Sequence, residues 1–229
     1  MSQTVDIHDP EYPALTRVGR AFAMLVSYVF HPVFMPVVMM LFLYRLAPVN
    51  FINVPFGNIL ERGSFVNLLF VVGSCTIFFP LLTVFLMKTL GFVKSIEMHD
   101  VKDRMMPLLA NMIFYFWAYH VINNIGGTPF ILKALLLGTF WSIIAIFVIS
   151  IFVKISMHAV AAGGMVGILA VLLVVNPINM VPALYTGLIL AGLIGTARLM
   201  LRAHAVGEVW LGYFVGALLM FGAAAYLSL

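Results

Sequence analysis

Charge and cysteine are what this chain has least of. Its single cysteine, Cys75, can form neither an intrachain disulfide nor a cysteine-rich metal site, and the apolar run around it reads as inert packing. Charged residues make up 9% of the sequence, where a soluble domain carries about 25%, so a water-soluble globular fold is excluded. There is no basic run of the kind that binds nucleic acid, and the small net charge of +4 fits an anionic lipid surface or substrate. The opening residues do not read as a secretory signal, since Asp6, Asp9 and Glu11 come before any apolar run. Acidic residues all but vanish afterwards: beyond Asp103 there is only Glu208.

What is present is hydrocarbon. The 229 residues are 64% hydrophobic, enough for about seven spans of roughly 20 residues and no separate extramembrane domain. Apolar segments fall at about 21–46, 66–90, 107–124, 131–153, 158–175, 181–197 and 206–227. His31-Pro32 and Met35-Pro36 predict a kink in the first, of the kind neighbouring helices repair. The stretch 47–65 and the run from Asn123 to Pro129 read as loops, and Asn176-Pro177 closes the fifth span. The expected fold is all-α: an integral membrane bundle of about six to seven transmembrane helices, forming one domain over residues 1–229 with its site at one membrane face.

Three polar islands interrupt the apolar runs: Lys88 to Arg104, Lys154 to His158, and Arg198 to Glu208. Two spans separate each island from the next, so parity gathers all three on one face. An ionisable side chain between spans is costly, on the order of 2.5–3.5 kcal/mol at mid-bilayer, and is read as functional by default. His204 and Glu208 are four residues apart, within reach of each other on one helical face. A carboxylate holding one imidazole nitrogen frees the other for chemistry. Arg198 and Arg202 add permanent cations upstream, and the set suits the handling of a phosphate.

In order, the islands resemble the three signatures of the type 2 phosphatidic acid phosphatase superfamily, which includes vanadium haloperoxidases. Its third signature, Ser-Arg, five residues, His, three residues, Asp, is matched here by Ala197-Arg198, His204 and Glu208. Its Pro-Ser-Gly-His is matched by Ile155-Ser156-Met157-His158, and its Lys, six residues, Arg-Pro by Lys102-Asp103-Arg104-Met105-Met106-Pro107, with Lys94 as the alternative lysine. The resemblance covers about residues 94–227, the core of a phosphatase-like transmembrane domain. It departs from the pattern in Glu for Asp, Met for Gly, no Pro before Ser, and the lysine spacing, as a divergent branch would. It implies a metal-independent lipid phosphate phosphatase without cofactors. His204 would be the nucleophile, forming a phospho-histidine, with Glu208 orienting it and His158 as general acid. Arg198 and Arg104 would clamp the phosphoryl oxygens, Ser156 would donate a hydrogen bond to them, and Lys102 or Lys154 would add a cation. The implied substrate is a phosphomonoester or diphosphate of a lipid: phosphatidic acid, phosphatidylglycerol phosphate or a polyprenyl diphosphate. Membrane lipids are the only other expected partners, with no nucleic acid and no obligate protein partner. The alternative is a non-catalytic membrane protein or small transporter that keeps a phosphate-binding pocket.

The remaining polar residues have plainer readings. His31 and His120 read as hydrogen-bond partners between helices, and Arg202 as an interfacial anchor. Glu97, His99, Asp100 and Asp103 read as a solvated loop rather than a metal site. Gly163 with Gly167, and Gly212 with Gly216, predict close helix packing. The aromatics from Phe114 to Tyr119 read as lipid-facing or interfacial packing. The expected location is the cytoplasmic (inner) membrane. Counted plainly, basic residues favour a cytoplasmic site, but setting aside those that would bind phosphate leaves Arg17, Arg20, Lys88, Lys94 and Arg202 against Arg45, Arg62 and Lys133, so either face stays open.

Overall fold

The computed structural model describes residues 16–92, 105–175 and 180–229, together with the backbone of 101–104. The described residues form helices and connecting turns. Helix α1 is Arg17–Val29 and α2 is Met35–Leu46, followed by a 3-10 turn at Pro48–Phe51. Helices α3 (Phe65–Gly73) and α4 (Phe79–Thr89) are joined end to end through a π-helical turn at Ser74–Phe78. Then come α5 (Val101–Asn123), α6 (Phe130–Phe152), α7 (Met157–Val175), α8 (Val181–Met200) and α9 (Val206–Ser228).

Six stretches among the described residues are long and apolar enough to cross a membrane: Phe65–Thr89, Met105–Asn123 and the four helices α6 to α9. They carry large apolar side chains on their outer faces, among them Phe85, Ile113, Phe152, Ile189 and Phe214. In water that surface would aggregate; against lipid tails it carries no penalty, and the protein is embedded in a membrane.

The expected first span, 21–46, is not a single helix. Pro32 has no N–H to give to Tyr28, so the carbonyl of Tyr28 accepts from His31 instead (3.3 Å) and α1 stops. Helix α2 restarts with Pro36 in its first turn, where the missing donor is harmless. Thirteen and twelve residues reach only about 20 and 18 Å, short of a hydrocarbon core of about 30 Å. Among the described residues the outcome is six stretches long enough to span plus a broken helical corner, within the expected six to seven. Helix α2 is the buried half of that corner, through Met35, Met39, Met40 and Leu43, while α1 lies along α8.

The second break has a similar cause. Pro80 cannot donate to the carbonyl of Thr76, and the π turn carries the Phe79 N–H back to Ser74 instead. The orphaned Thr76 carbonyl accepts the buried phenol of Tyr115 from α5, at 3.3 Å. This bond ties the π turn to α5, and Pro80 just beyond it is buried.

Helices α7 and α9 form the tightest pair, and they run parallel. Gly216 sits on the backbone of Val160 and Gly164, Gly212 on Ser156 and Ala159, Gly163 on Tyr213, and Gly167 on Ala217. A Cβ at Gly212 would stand 2.7 Å from that of Ala159 and 3.0 Å from the carbonyl of Ser156, so only hydrogen fits. Close backbone approach through small residues holds helices together where lipid supplies no hydrophobic drive. Because the pair is parallel, the first turns of α7 and α9 meet at one end of the bundle, where the site lies. Gly216→Leu is expected to lower the detergent melting temperature sharply, by about 1–3 kcal/mol of overpacking or more, while Gly192→Leu, at an open position, leaves it unchanged. Thermal unfolding of the two variants side by side checks this.

Candidate functional site

The site begins at the corner between α8 and α9. Helix α8 ends in two backbone bonds, Ala203 N–H to the Arg198 carbonyl (3.1 Å) and Arg202 N–H to that of Leu199 (2.9 Å). This ending calls for a left-handed residue, ordinarily glycine. Here it is Arg202, at φ 52°, the one non-glycine among the described residues with positive φ. An L side chain there costs about 1–2 kcal/mol, so the guanidinium is kept at a conformational expense.

The turn delivers His204 just ahead of α9, with Glu208 in the first turn of that helix. The Glu208 carboxylate accepts the Ala205 N–H at 3.3 Å, which ties down the start of α9, and the His204 Nδ1–H at 2.7 Å. A carboxylate at a helix N-terminus is favoured by the exposed backbone N–H groups. With the proton on Nδ1 facing Glu208, His204 Nε2 is left with its lone pair.

The first turn of α7 supplies the second group. Lys154 reaches across to the Ala203 carbonyl (3.0 Å) and pins the α8–α9 corner to the start of α7. His158 Nε2 donates to the carbonyl of Ser27 at 3.0 Å. That carbonyl is one of those left unpaired where α1 breaks off, so the histidine caps the end of α1. Arg198 donates from a terminal guanidinium nitrogen to Ser27 Oγ at 3.2 Å, which fastens α1 to α8 at the same point.

These groups open onto one cavity of about 860 Å3. Its polar end is lined by Ser27, His31, Lys154, His158, Arg198, Arg202 and His204. From there it runs between α1, α2, α4, α5 and α6 past Met39, Leu81, Leu135, Met165 and Met220. Met220 lies on the order of 20 Å along α9 from the polar end, most of the way across a hydrocarbon core. A cationic mouth leads into a mostly apolar tunnel, with Asn111, Thr139 and Ser142 also in its lining.

The electrostatics favour an uncharged, nucleophilic His204. Burial holds its pKa below the usual histidine range, and Arg198 and Lys154 press in the same direction against the bond and charge of Glu208. The ring is therefore neutral at pH 7 and stays so below pH 6.5. In the unfolded chain it takes up a proton near 6.5. Its contribution to stability is thus complete above pH 6.5 and declines as the pH falls below that value. Any activity that needs its lone pair is expected to stay level from pH 7.5 to 6.5, with the acid limb lower still. A kcat/KM profile with its acid midpoint at or above 6.5 would refute this.

The structure brings together much of the set expected from the islands. His158, Arg198, His204 and Lys154 line one cavity, and Glu208 stands behind His204. Ser156 stands apart from that set. It is fully buried, its Oγ accepts the Ala159 N–H at 3.3 Å as the cap of α7, and it does not line the cavity. Lys94 lies outside the described residues, as do the side chains of Lys102 and Arg104, whose backbone opens α5. Ser27, His31 and Asn111 also line the cavity, and Arg202 faces it rather than serving only as an interfacial anchor. His31 carries a local cue, its place before Pro32 in a segment long enough to span, whereas Ser27 has no such cue. Among the described residues no three His, Cys, Asp or Glu side chains gather as they would around a metal ion. Comparison with protein-family models, with characterised proteins and with solved structures finds no match for this chain.

Proposed function

We propose that this protein is a membrane lipid phosphatase, a divergent relative of the type 2 phosphatidic acid phosphatases, acting in the cytoplasmic membrane through a phospho-histidine. One observation supports it above the rest: a neutral imidazole backed by a carboxylate shares a cation-lined mouth with a second imidazole, and that mouth opens into a mostly apolar tunnel. The phosphate of a lipid fits the mouth and its chain fits the tunnel.

In the first step the His204 Nε2 lone pair attacks phosphorus as the bond from phosphorus to the lipid oxygen breaks. Arg198, Arg202 and Lys154 face the charge that spreads over the equatorial oxygens. His158 keeps its Nε2–H on the Ser27 carbonyl, so its Nδ1 holds a lone pair at rest; Nδ1 takes up the proton that a phosphate monoanion brings and passes it to the departing oxygen. In the second step water attacks phosphorus, returns a proton to His158 and breaks the P–N bond, releasing phosphate and restoring His204.

The alternative, a pocket that binds phosphate without turnover, draws on that same hydrogen bond to Ser27 and on the withdrawal of Ser156 into a helix cap. Purified protein in detergent, assayed for phosphate release from phosphatidic acid, phosphatidylglycerol phosphate and polyprenyl diphosphate, separates the two. Release from one of them supports the enzyme; tight vanadate binding with no release from any supports the pocket alone.

A further inference from the structure

We propose that His31, at the broken corner between α1 and α2, is an anion-binding residue of this site, donating from Nε2–H to a phosphoryl oxygen in the place where Ser156 was expected. The inference rests on the reading of the cavity mouth as a phosphate site, and it names a ligand outside the three islands.

The geometry carries it in three steps. His31 lines the polar end of the cavity, with its ring edge-to-face against His158 at 5.3 Å between centroids. Its Nδ1 accepts the backbone N–H of Val33 at 3.4 Å. A ring nitrogen that accepts a hydrogen bond cannot carry the proton of the neutral ring, so that proton is on Nε2, and Nε2–H is a donor. Burial, and then Arg198, keeps the ring below the ordinary histidine pKa, so at neutral pH it presents this single donor and no charge. The hydroxyl of Ser156 is buried in a helix cap and unavailable. The cations at the mouth supply charge, and His31 adds a directional neutral donor. Pro32 fixes its position, because the broken helix is what turns residue 31 inward.

Orthovanadate is the probe, with kcat and KM measured on whichever lipid phosphate the wild type hydrolyses. His31→Phe keeps the ring volume and its contact with His158 but has no N–H. It is expected to weaken vanadate binding by about ten- to a hundredfold, the effect of one hydrogen bond to a charged group. His31→Gln, which retains an N–H at similar reach, is expected to recover most of that loss. His31→Met and His31→Gln, two flexible side chains of similar length, make the same comparison without an aromatic ring. Vanadate binding by the phenylalanine or methionine variant within about twofold of wild type overturns the proposal, as does a glutamine variant no tighter than these. If the wild type binds vanadate through His31 and hydrolyses nothing, the phosphatase reading falls while His31 stands as an anion ligand.

Discussion

Replacing His204 by alanine is expected to abolish phosphate release, lowering kcat by at least about a thousandfold while leaving the fold intact. The size of the effect follows from the chemistry: removing the nucleophile removes the covalent intermediate. The fold survives because Glu208 keeps its bond to the Ala205 N–H, and Lys154 holds the corner through the backbone of Ala203 rather than through the imidazole. Glu208→Gln should lose at least about a hundredfold, since an amide can present its NH2 to Nδ1 and favour the wrong tautomer. The intermediate can also be trapped. A phosphoramidate on histidine is labile in acid and stable in base, so brief reaction with radiolabelled substrate followed by an alkaline quench should label the wild type and not His204→Ala. Equal labelling or equal turnover in the two proteins would remove His204 from the mechanism.

The parts of this molecule that could be read in advance share a physical reason. Spans are visible because the hydrocarbon thickness sets a length, and charge inside it is costly enough to be rare. Glu208 stood out because nothing else acidic follows Asp103, and its spacing from His204 is a local, helical relation. The small-residue pairs Gly163/Gly167 and Gly212/Gly216 were legible for the same reason, because their spacing reports one face of one helix. Relations between distant segments were not legible. Nothing local joins Ser27 to His158 or to Arg198, yet both bonds meet at that one residue. Ser156 had a convincing place in the resemblance, but whether a serine beside a helix start offers its hydroxyl to a ligand or to the backbone is a matter of geometry, and here it serves the backbone. The first apolar segment was long enough to span, and its two prolines decided otherwise because the freed carbonyls found a partner in the site.

That last point changes what the N-terminal segment is for. An unbroken helix over residues 21–46 would pair its own carbonyls and offer the site little. Broken at His31-Pro32, it gives up the Ser27 carbonyl to His158, the Ser27 hydroxyl to Arg198 and the His31 ring to the cavity. The break has the character of a local defect that is retained because the surrounding structure uses it.

Arg198 is where these contacts converge, and Arg198→Lys is expected to be nearly as damaging as losing the nucleophile. The guanidinium bonds to Ser27 Oγ, and its charge acts on both His31 and His204. Lysine retains the charge but not the planar fork that meets two oxygens at once. Loss of one such donor from a developing oxyanion costs about 10^2–10^3 in kcat. Arg198→Ala should cost more, and it carries a second signature. Burial holds the His204 pKa down first and the cation adds to it, so removing the cation lets that pKa rise part of the way toward 6.5 and protonates the nucleophile at a higher pH. The acid limb of the residual activity should therefore move toward neutrality in Arg198→Ala and stay near its wild-type position in Arg198→Lys. A purely structural role, fastening α1 to α8, would lower activity in both variants in proportion to lost folded protein and leave the pH midpoint where it was. Paired pH profiles and melting curves on the two variants distinguish these outcomes, and an unmoved midpoint in Arg198→Ala would show that the charge does not reach His204.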